Sequence, residues 1–225
     1  MRGRLLGVAV AALAVAGCGK VAAGRDDATL WVTRDRGAHV LLVRHVPSGV
    51  TAMQALERAA KVKTSYGGRF VQAVNGFEGS RTASRDWFYY VNGIEADRSA
   101  VEYRLHQGDV EWWDYHSWSA GRDVPVVVGA FPEPLLHGYA GKTHPTTMRV
   151  DHVRWTRNVS RLARLVRARK TAPPPRNEVV VVPGGEFRAT IDRRTLAVRF
   201  TIGIRALRRL AANPAAARFR YEGLP

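Results

Sequence analysis

Apolar residues in the first half of the chain fall into short runs separated by turn residues. Runs at residues 30–34 and 39–46 flank an Asp-Arg-Gly turn, and this pattern predicts a β-hairpin. Residues 51–60 carry apolar side chains at helical spacing, and Ser48 or Thr51 can cap the N-terminus of the predicted helix. The chain therefore opens with two strands and a helix.

Three further strands are predicted before residue 118. Residues 70–74 follow a Tyr-Gly-Gly break, residues 87–91 are strongly aromatic and end at Asn92-Gly93, and residues 110–115 follow a Gln-Gly-Asp turn. The resulting order is β-β-α-β-β-β, in which one helix lies across a mixed sheet. We therefore predict the α+β class, with a β-grasp-like N-terminal domain at residues 28–118.

The second half, residues 124–225, predicts a small α/β region. Residues 124–128 contain a proline and suit an edge strand or an extended link, while residues 131–134 suggest a stiff turn. The tail after Pro214 offers few core residues and is expected to fray. The remaining predicted elements are strands at 146–150, 179–182 and 195–202 and helices at 159–170 and 204–212.

The N-terminus has the layout of a secretory signal peptide. Arg2 and Arg4 precede about a dozen apolar or small residues, which are too few to span the roughly 30 Å hydrocarbon core as a helix. Cys18 follows small residues and resembles the acylated cysteine of a bacterial lipobox. We predict a signal peptide at 1–17, lipidation of Cys18, a tether at 18–27 and an extracytoplasmic, membrane-anchored protein; the alternative is an ordinary secreted protein.

Composition and charge narrow the classes of partner. The chain has 225 residues, one cysteine and a formal net charge of +16, so no intramolecular disulfide can form. A basic chain invites a nucleic-acid interpretation, but the export signal argues against it. Outside the cell, the anionic partners are lipid headgroups and wall polymers.

The positive charge is concentrated in the second half. Residues 152–176 and residues 193–220 each carry eight basic side chains and no acidic one. This asymmetry predicts two regions with different surfaces. The alternative is a solvated basic face that has no partner.

Several motifs in the first region resemble a known family. They are Ser48-Gly49-Val50-Thr51 at the start of the helix, Trp87-Phe88-Tyr89-Tyr90-Val91-Asn92-Gly93, and Gln107-Gly108-Asp109 followed by Trp112-Trp113. Together they resemble a bacterial domain of unknown function that is similar to the C-terminal domain of transcobalamin and intrinsic factor. The resemblance implies a β-grasp-like fold and makes cobalamin or another corrinoid a candidate ligand. The chain lacks the large helical domain that supplies the other half of the vitamin site in those proteins.

An aromatic cluster supplies the candidate binding surface. Trp and Tyr offer flat apolar area with a polar tip, which suits a planar ligand or a sugar ring. We expect Trp113 and Trp118 to be partly exposed, while the alternative is that most of the cluster forms core and interdomain packing. The candidate ligand-binding residues are Trp87, Tyr89, Tyr90, Asn92, Trp112, Trp113, Tyr115 and Trp118.

No motif predicts an enzyme or a resident cofactor. The Gly138–Thr143 segment ends like a phosphate-binding loop but lacks the required first glycine, because Leu136 occupies that position. Glu133, His137 and His144 could approach one another on a loop, but solvated histidines are the simpler interpretation, so we predict no metal site. We also find no nucleophile elbow and no convincing carboxylate pair.

Two functional hypotheses follow. The first is a surface lipoprotein that captures a small ligand, such as a corrinoid, for an uptake transporter. The second is a cell-envelope interaction protein whose basic half contacts anionic lipid or wall polymer. An exported enzyme is a distant third.

Overall fold

The computed structural model describes residues 27–119 and 124–224. The predicted signal peptide, Cys18 and the tether up to residue 26 lie outside the described residues. Within the described ranges, no helix combines the length and apolarity needed to cross a bilayer. Both helices and sheets are present, which agrees with the predicted α+β class.

A five-stranded mixed sheet forms the centre of the first half. Its N-terminal hairpin is confirmed, and its edges lie at β2 and at a two-residue strand after the Asn92-Gly93 turn. The strands, in sheet order, are β2 (His39–Pro47), β1 (Asp27–Arg34), β8 (Val110–Ser117), β6 (Arg85–Val91) and β7 (Ile94–Glu95).

The middle of this sheet joins the two ends of the region. β1 runs parallel to β8, with Trp31 opposite Trp112, while β2 and β6 pair antiparallel on either side. A parallel pair needs a long crossover connection, and here the crossover contains the helix and a smaller sheet. The pairing therefore depends on contacts between residues about eighty positions apart.

The helix α1 (Ala52–Ala59) confirms the prediction and identifies its cap. Thr51 accepts a hydrogen bond from the Gln54 backbone N–H at 3.2 Å, and the Gln54 side chain accepts one from the Thr51 backbone N–H at 3.0 Å. This reciprocal capping box satisfies two backbone donors that the first turn leaves open. The buried face of the helix, which includes Met53 and Leu56, belongs to the main core.

A second, three-stranded antiparallel sheet lies between α1 and β6. It consists of β3 (Val62–Ser65), β4 (Phe70–Val74) and β5 (Phe77–Glu78). Only β4 was predicted from the sequence. Because β3 and β5 have four and two residues, neither shows a usable alternation of apolar and polar positions.

The second half contains a four-stranded sheet with helices packed against it. In sheet order the strands are β11 (Phe187–Ile191), β12 (Val198–Gly203), β10 (Asn177–Val182) and β9 (Thr146–Val150). The pairs β12–β10 and β10–β9 are parallel, and β11–β12 is antiparallel. The helices are α2 (Glu133–Leu136), α3 (Arg157–Leu165) and α4 (Ile204–Ala212), with 3-10 turns at Val128–Ala130 and Pro214–Ala217.

Three predictions about this half need correction. The helix predicted at 159–170 ends at Leu165, because Arg167 takes a left-handed conformation with φ of 52°. The strand predicted at 195–202 begins at Val198, since Thr195 lies in the turn after β11. Residues 131–134 do not form a simple stiff turn: α2 begins within them, since a proline is tolerated in the first turn of a helix.

The C-terminal tail is packed and does not fray. Ala217 and Tyr221 are buried, and Phe219 stacks edge-on against Trp31 with ring centroids 4.8 Å apart. The tail returns to the first sheet and covers part of it. The sequence prediction missed this contact because the tail's few apolar residues pack against a surface far away in the chain.

Candidate ligand groove

The two faces of the aromatic strands meet different neighbours. Trp87, Val91 and Trp113 belong to the core that contains α1. Tyr90 and Trp112 belong to a second cluster that the C-terminal half covers. One face of the aromatic strands therefore packs in the core with α1 and the other packs against the second half of the chain, which agrees with the alternative of core and interdomain packing.

Trp112 lies at the centre of the second cluster. Its indole N–H donates to the Thr33 hydroxyl at 2.7 Å, and its ring contacts Trp31 and Tyr221 edge-on at 5.8 and 5.4 Å. Tyr90 packs against the same Tyr221 ring at 5.6 Å. The chain's own tail thus occupies the ring faces that the sequence interpretation offered to a ligand.

Asn92 is also enclosed by the protein. Its amide nitrogen donates to Asp109 Oδ1 at 2.8 Å and to the Gly138 carbonyl at 2.9 Å, and its amide oxygen accepts from the Val110 N–H at 2.8 Å. With φ of 52°, it also begins the turn between β6 and β7. The turn and these hydrogen bonds account for an asparagine at this position of the motif without a ligand.

The predicted partial exposure of Trp113 is wrong. The side chain is only 3% exposed; it stacks on Tyr89 at 4.7 Å and donates its indole N–H to Glu111 at 2.5 Å. Adjacent strand residues point to opposite faces, and here both faces are covered. Trp118, by contrast, is half-buried at the end of β8, as predicted.

A groove of about 820 Å³ lies between the small sheet and the start of β6. It falls within the range of typical small-molecule sites. Trp87 and Trp118, two of the predicted candidates, line this groove. Its other aromatic residues are Tyr66, Phe70 and Phe88, and its polar lining includes Ser65, Gln72, Ser80, Arg81, Arg85 and Asp86.

Hydrogen bonds hold the two walls of the groove together. The Trp87 indole N–H donates to the Phe77 carbonyl at 2.9 Å, and the Tyr115 hydroxyl donates to the Glu78 carbonyl at 2.8 Å. Ser80 and Arg85 exchange two backbone hydrogen bonds across the β5–β6 turn. Tyr115 is therefore a bracing residue between the sheets, while Trp87 both braces and lines the groove.

The open side of the groove carries exposed aromatic rings. Tyr66 is 76% exposed and Phe70 41% exposed, and the two rings meet edge-on at 6.2 Å across the β3–β4 hairpin. Exposing two large rings to water at a hairpin tip is unfavourable, and a ligand that covered them would remove this free-energy cost on binding. Sequence reasoning missed both residues, although the aromatics flanking Gly67-Gly68 were a usable signal.

The two arginines that line the groove differ in whether a ligand could pair with them. Arg85 bonds Asp35, and this guanidinium holds the pKa of the Asp35 carboxyl below its ordinary value. Arg81 is exposed and, within the part of the chain that the structure describes, has no carboxylate partner. Among the residues that the structure describes, the groove therefore presents the exposed Arg81 cation beside several aromatic rings, which suits a ring-bearing ligand with an anionic group.

A second cleft of about 530 Å³ is bordered by Glu133 and His137, two of the three side chains that could have formed a metal site. His137 Nε2 lies 3.3 Å from Glu133 Oε2, and both side chains border the cleft. His144 lies elsewhere, with its Nε2 2.6 Å from the Thr195 carbonyl oxygen, so the three side chains do not assemble. Burial raises the pKa of Glu133 to about 7, against the opposing effect of Arg218.

Residues 49–117 match the family described as a domain of unknown function, DUF4430. This stretch covers less than half of the chain and includes most of the groove. No curated protein matches the sequence.

Among solved structures, a chain described as a "putative metal binding protein" from Ruminococcus gnavus is 15% identical to this one. The match covers 40% of this chain and 94% of that chain, with a TM-score of 0.33. This similarity is too low to establish a shared fold.

Proposed function

We propose that this protein is an exported, lipid-anchored binding protein that holds a small ring-bearing ligand in the aromatic groove. The observation that carries the proposal is the groove itself, in which five aromatic side chains and one accessible arginine surround about 820 Å³. The role we propose for the groove is ligand binding.

Stacking would supply most of the recognition. Tyr66, Phe70 and Trp118 present partly exposed rings that can pack against a flat ligand, and Arg81 can pair with a phosphate or carboxylate at the rim. Corrinoids offer the ring, because they contain a nearly planar macrocycle, and cobalamin has both features, because its nucleotide arm also carries a phosphate. Cobalamin is therefore the first ligand to test.

The proposed fold assignment is a β-grasp-like domain similar to the small domain of transcobalamin. The support is the order of elements: an opening hairpin, one packed helix, and a mixed sheet in which the first strand lies parallel to the last. In this proposal the groove belongs to that domain and the C-terminal half reinforces the opposite face of its sheet.

The proposed location is the outer face of the cell membrane, through acylation of Cys18. Nine residue steps separate Cys18 from the first strand at Asp27, so the start of β1 lies within about 30 Å of the proposed anchor. A protein tethered in this way could pass its ligand to a transporter in the same membrane, which is the partner that the proposal implies.

Tryptophan fluorescence tests the binding proposal directly. The chain from residue 18 onward, with Cys18→Ser, would be titrated with cobalamin and with cobinamide under inner-filter correction. We expect saturable quenching that Phe70→Ala and Trp118→Ala weaken at least about tenfold. Trp155→Ala is the matched control, because Trp155 is exposed outside the groove, and it should bind normally.

Calorimetry on the same proteins separates binding from optical artefacts. Heat of binding with cobalamin that Phe70→Ala reduces would support the corrinoid version. If a folded protein gives neither quenching nor heat with either corrinoid, that version is overturned. Equal quenching in the groove variants and the unmodified chain would place the ligand outside the groove.

A further inference from the structure

Two helices of the second half present arginine stripes to solvent. α3 and α4 pack against each other through residues that include Val159, Leu162 and Leu207, so they lie on the same side of their sheet. Residues three, four and seven positions apart share one face of a helix. The exposed arginines of this face are Arg157, Arg161 and Arg164 on α3 and Arg205, Arg208 and Arg209 on α4.

The carboxylates of the second half leave these stripes unneutralised. Glu178 pairs with Arg199 at 2.7 Å, Glu186 pairs with Arg188 at 2.6 Å, and Asp151 pairs with Arg149. Asp192 instead accepts backbone N–H groups in the β11–β12 turn. Over residues 27–119 and 124–224, none of the six stripe arginines has a carboxylate partner.

An exposed tryptophan adjoins the stripe of α3. Trp155 is 58% exposed, and its indole N–H donates to the Ser160 hydroxyl at 2.8 Å, which holds the ring on the first turns of the helix. Just beside it, Arg154 and Arg208 border one small groove of about 190 Å³ between the two helices. The basic face is thus continuous from the loop before α3 to α4.

We propose that this basic face, defined by Trp155, Arg154 and the six stripe arginines, docks on the surface of an anionic lipid bilayer. Uncompensated arginines are attracted to anionic headgroups, and a tryptophan ring with its N–H at one end fits the interface between headgroups and acyl chains. The exposed indole favours a bilayer over an anionic wall polymer, since a wall polymer offers no apolar layer for the ring.

Docking of this kind would add to the proposed acyl anchor. A single weak attachment becomes stable when a second one restrains the same molecule. The basic face stands on different residues from the ligand groove, so it can bind a bilayer whether or not the groove binds a corrinoid.

Vesicle co-sedimentation tests the docking proposal. The unacylated chain from residue 18, with Cys18→Ser, would be mixed with vesicles of equal parts phosphatidylglycerol and phosphatidylcholine, and with vesicles of phosphatidylcholine alone. We expect binding to the anionic vesicles that salt weakens, since screening shortens the reach of surface charge. Binding of equal strength to both vesicles, or none to the anionic ones, would overturn the proposal.

Charge-reversal variants locate the surface. R157E/R161E/R208E should lower the partition coefficient at least about tenfold. The matched control R44E/R58E/K63E changes the net charge equally on exposed residues of the first half and should lose far less. Equal losses in the two variants would mean attraction by net charge alone, and would overturn a specific docking face.

Trp155 provides the second readout. The emission difference between the unmodified chain and Trp155→Phe isolates this indole, which should shift to shorter wavelength on anionic vesicles and be quenched by brominated acyl chains. An unshifted, unquenched Trp155 would remove the ring from the interface and overturn the proposal. DNA or poly(glycerol phosphate) that binds this face while anionic vesicles do not would likewise overturn it.

Discussion

The Trp113 indole N–H donates to Glu111 Oε1 at 2.5 Å in the interior of the first half of the chain, where both side chains are buried. Glu111 Oε2 has no hydrogen-bond partner among the described residues. Burial raises the pKa of Glu111 well above its ordinary value of 4.5, and the nearby Asp109 charge raises it further. The native protein therefore keeps a proton on Glu111 at pH values where the unfolded chain releases it.

This proton makes stability depend on pH with a definite sign. Above about pH 4.5, Glu111 binds fewer protons in the unfolded state than in the native state. The contribution of Glu111 to the free energy of unfolding therefore falls as pH rises. Glu111→Gln keeps the acceptor for Trp113 and cannot ionise. We expect it to raise the free energy of unfolding near neutral pH by up to about 3 kcal/mol, measured by urea denaturation.

The control for this prediction is Glu57→Gln, an exposed carboxyl on α1. The difference between Glu111→Gln and the unmodified protein should shrink at pH below about 4.5, where the unfolded chain also carries the proton. A constant difference across the pH range would contradict the assignment.

A second prediction concerns the cleft residue Glu133. Burial raises its pKa to about 7, so the carboxyl should titrate near neutrality, which carbon NMR of the glutamate side chains can follow. Its contribution to stability should decrease as pH rises from about 4.5 through about 7. Arg218→Ala should move the titration to higher pH, because the Arg218 charge opposes the effect of burial.

Glu133→Gln identifies the signal, since it must disappear in that variant. If the Glu133 resonance titrates near pH 4.5 in the unmodified protein, the carboxyl is not in a buried environment and the prediction is wrong.

The C-terminal tail yields a third prediction. Tyr221 is 8% exposed and packs between Tyr90 and Trp112. Tyr221→Ala should lower the free energy of unfolding by about 3 kcal/mol, because it opens a cavity over the aromatic cluster. The exposed neighbour Glu222 offers the matched control, Glu222→Ala, which should leave the urea midpoint within error. If both variants unfold at the same midpoint as the unmodified chain, the tail does not seal this cluster.

The cap of α1 gives a fourth prediction. Thr51→Ala should cost about 1 kcal/mol, since it leaves the Gln54 N–H without its side-chain acceptor. Thr51→Ser keeps the hydroxyl and should restore most of that loss in thermal unfolding. An equal loss for alanine and serine would show that the methyl group, and not the hydrogen bond, stabilises this end of the helix.

The local elements could be predicted from the sequence where the hydrophobic pattern and the turn or capping residues agree. The helix predicted at 204–212 has those bounds, and the strand predicted at 146–150 does too. The Asn92-Gly93 turn was predicted from its dipeptide, since both residues adopt positive φ with little strain. In contrast, β3, β5 and β7 were missed, because they are too short for an alternation of side chains to show and only their pairing partners make them strands. The strand β11 was also missed, although Phe187–Ile191 alternates apolar and polar side chains.

The candidate site was only partly readable for the same reason. Trp87 and Trp118 were predicted and do line the groove, but Tyr66, Phe70 and Arg81 reach it only because the small sheet folds against β6. Burial of Trp112 and Trp113 depends on the distant tail and helix that cover their two faces. The lipidation of Cys18 remains a prediction.

The amino-acid sequence by itself determined the local framework: the first hairpin, the capped helix, the aromatic strands and the basic character of the second half. These follow from short-range preferences of neighbouring residues. Only the tertiary structure decided that β1 lies parallel to β8, that the tail covers Trp112, and which aromatic rings stay open to solvent. Exposure depends on which distant segments pack together, and hydrophobic burial does not specify its partner by sequence position.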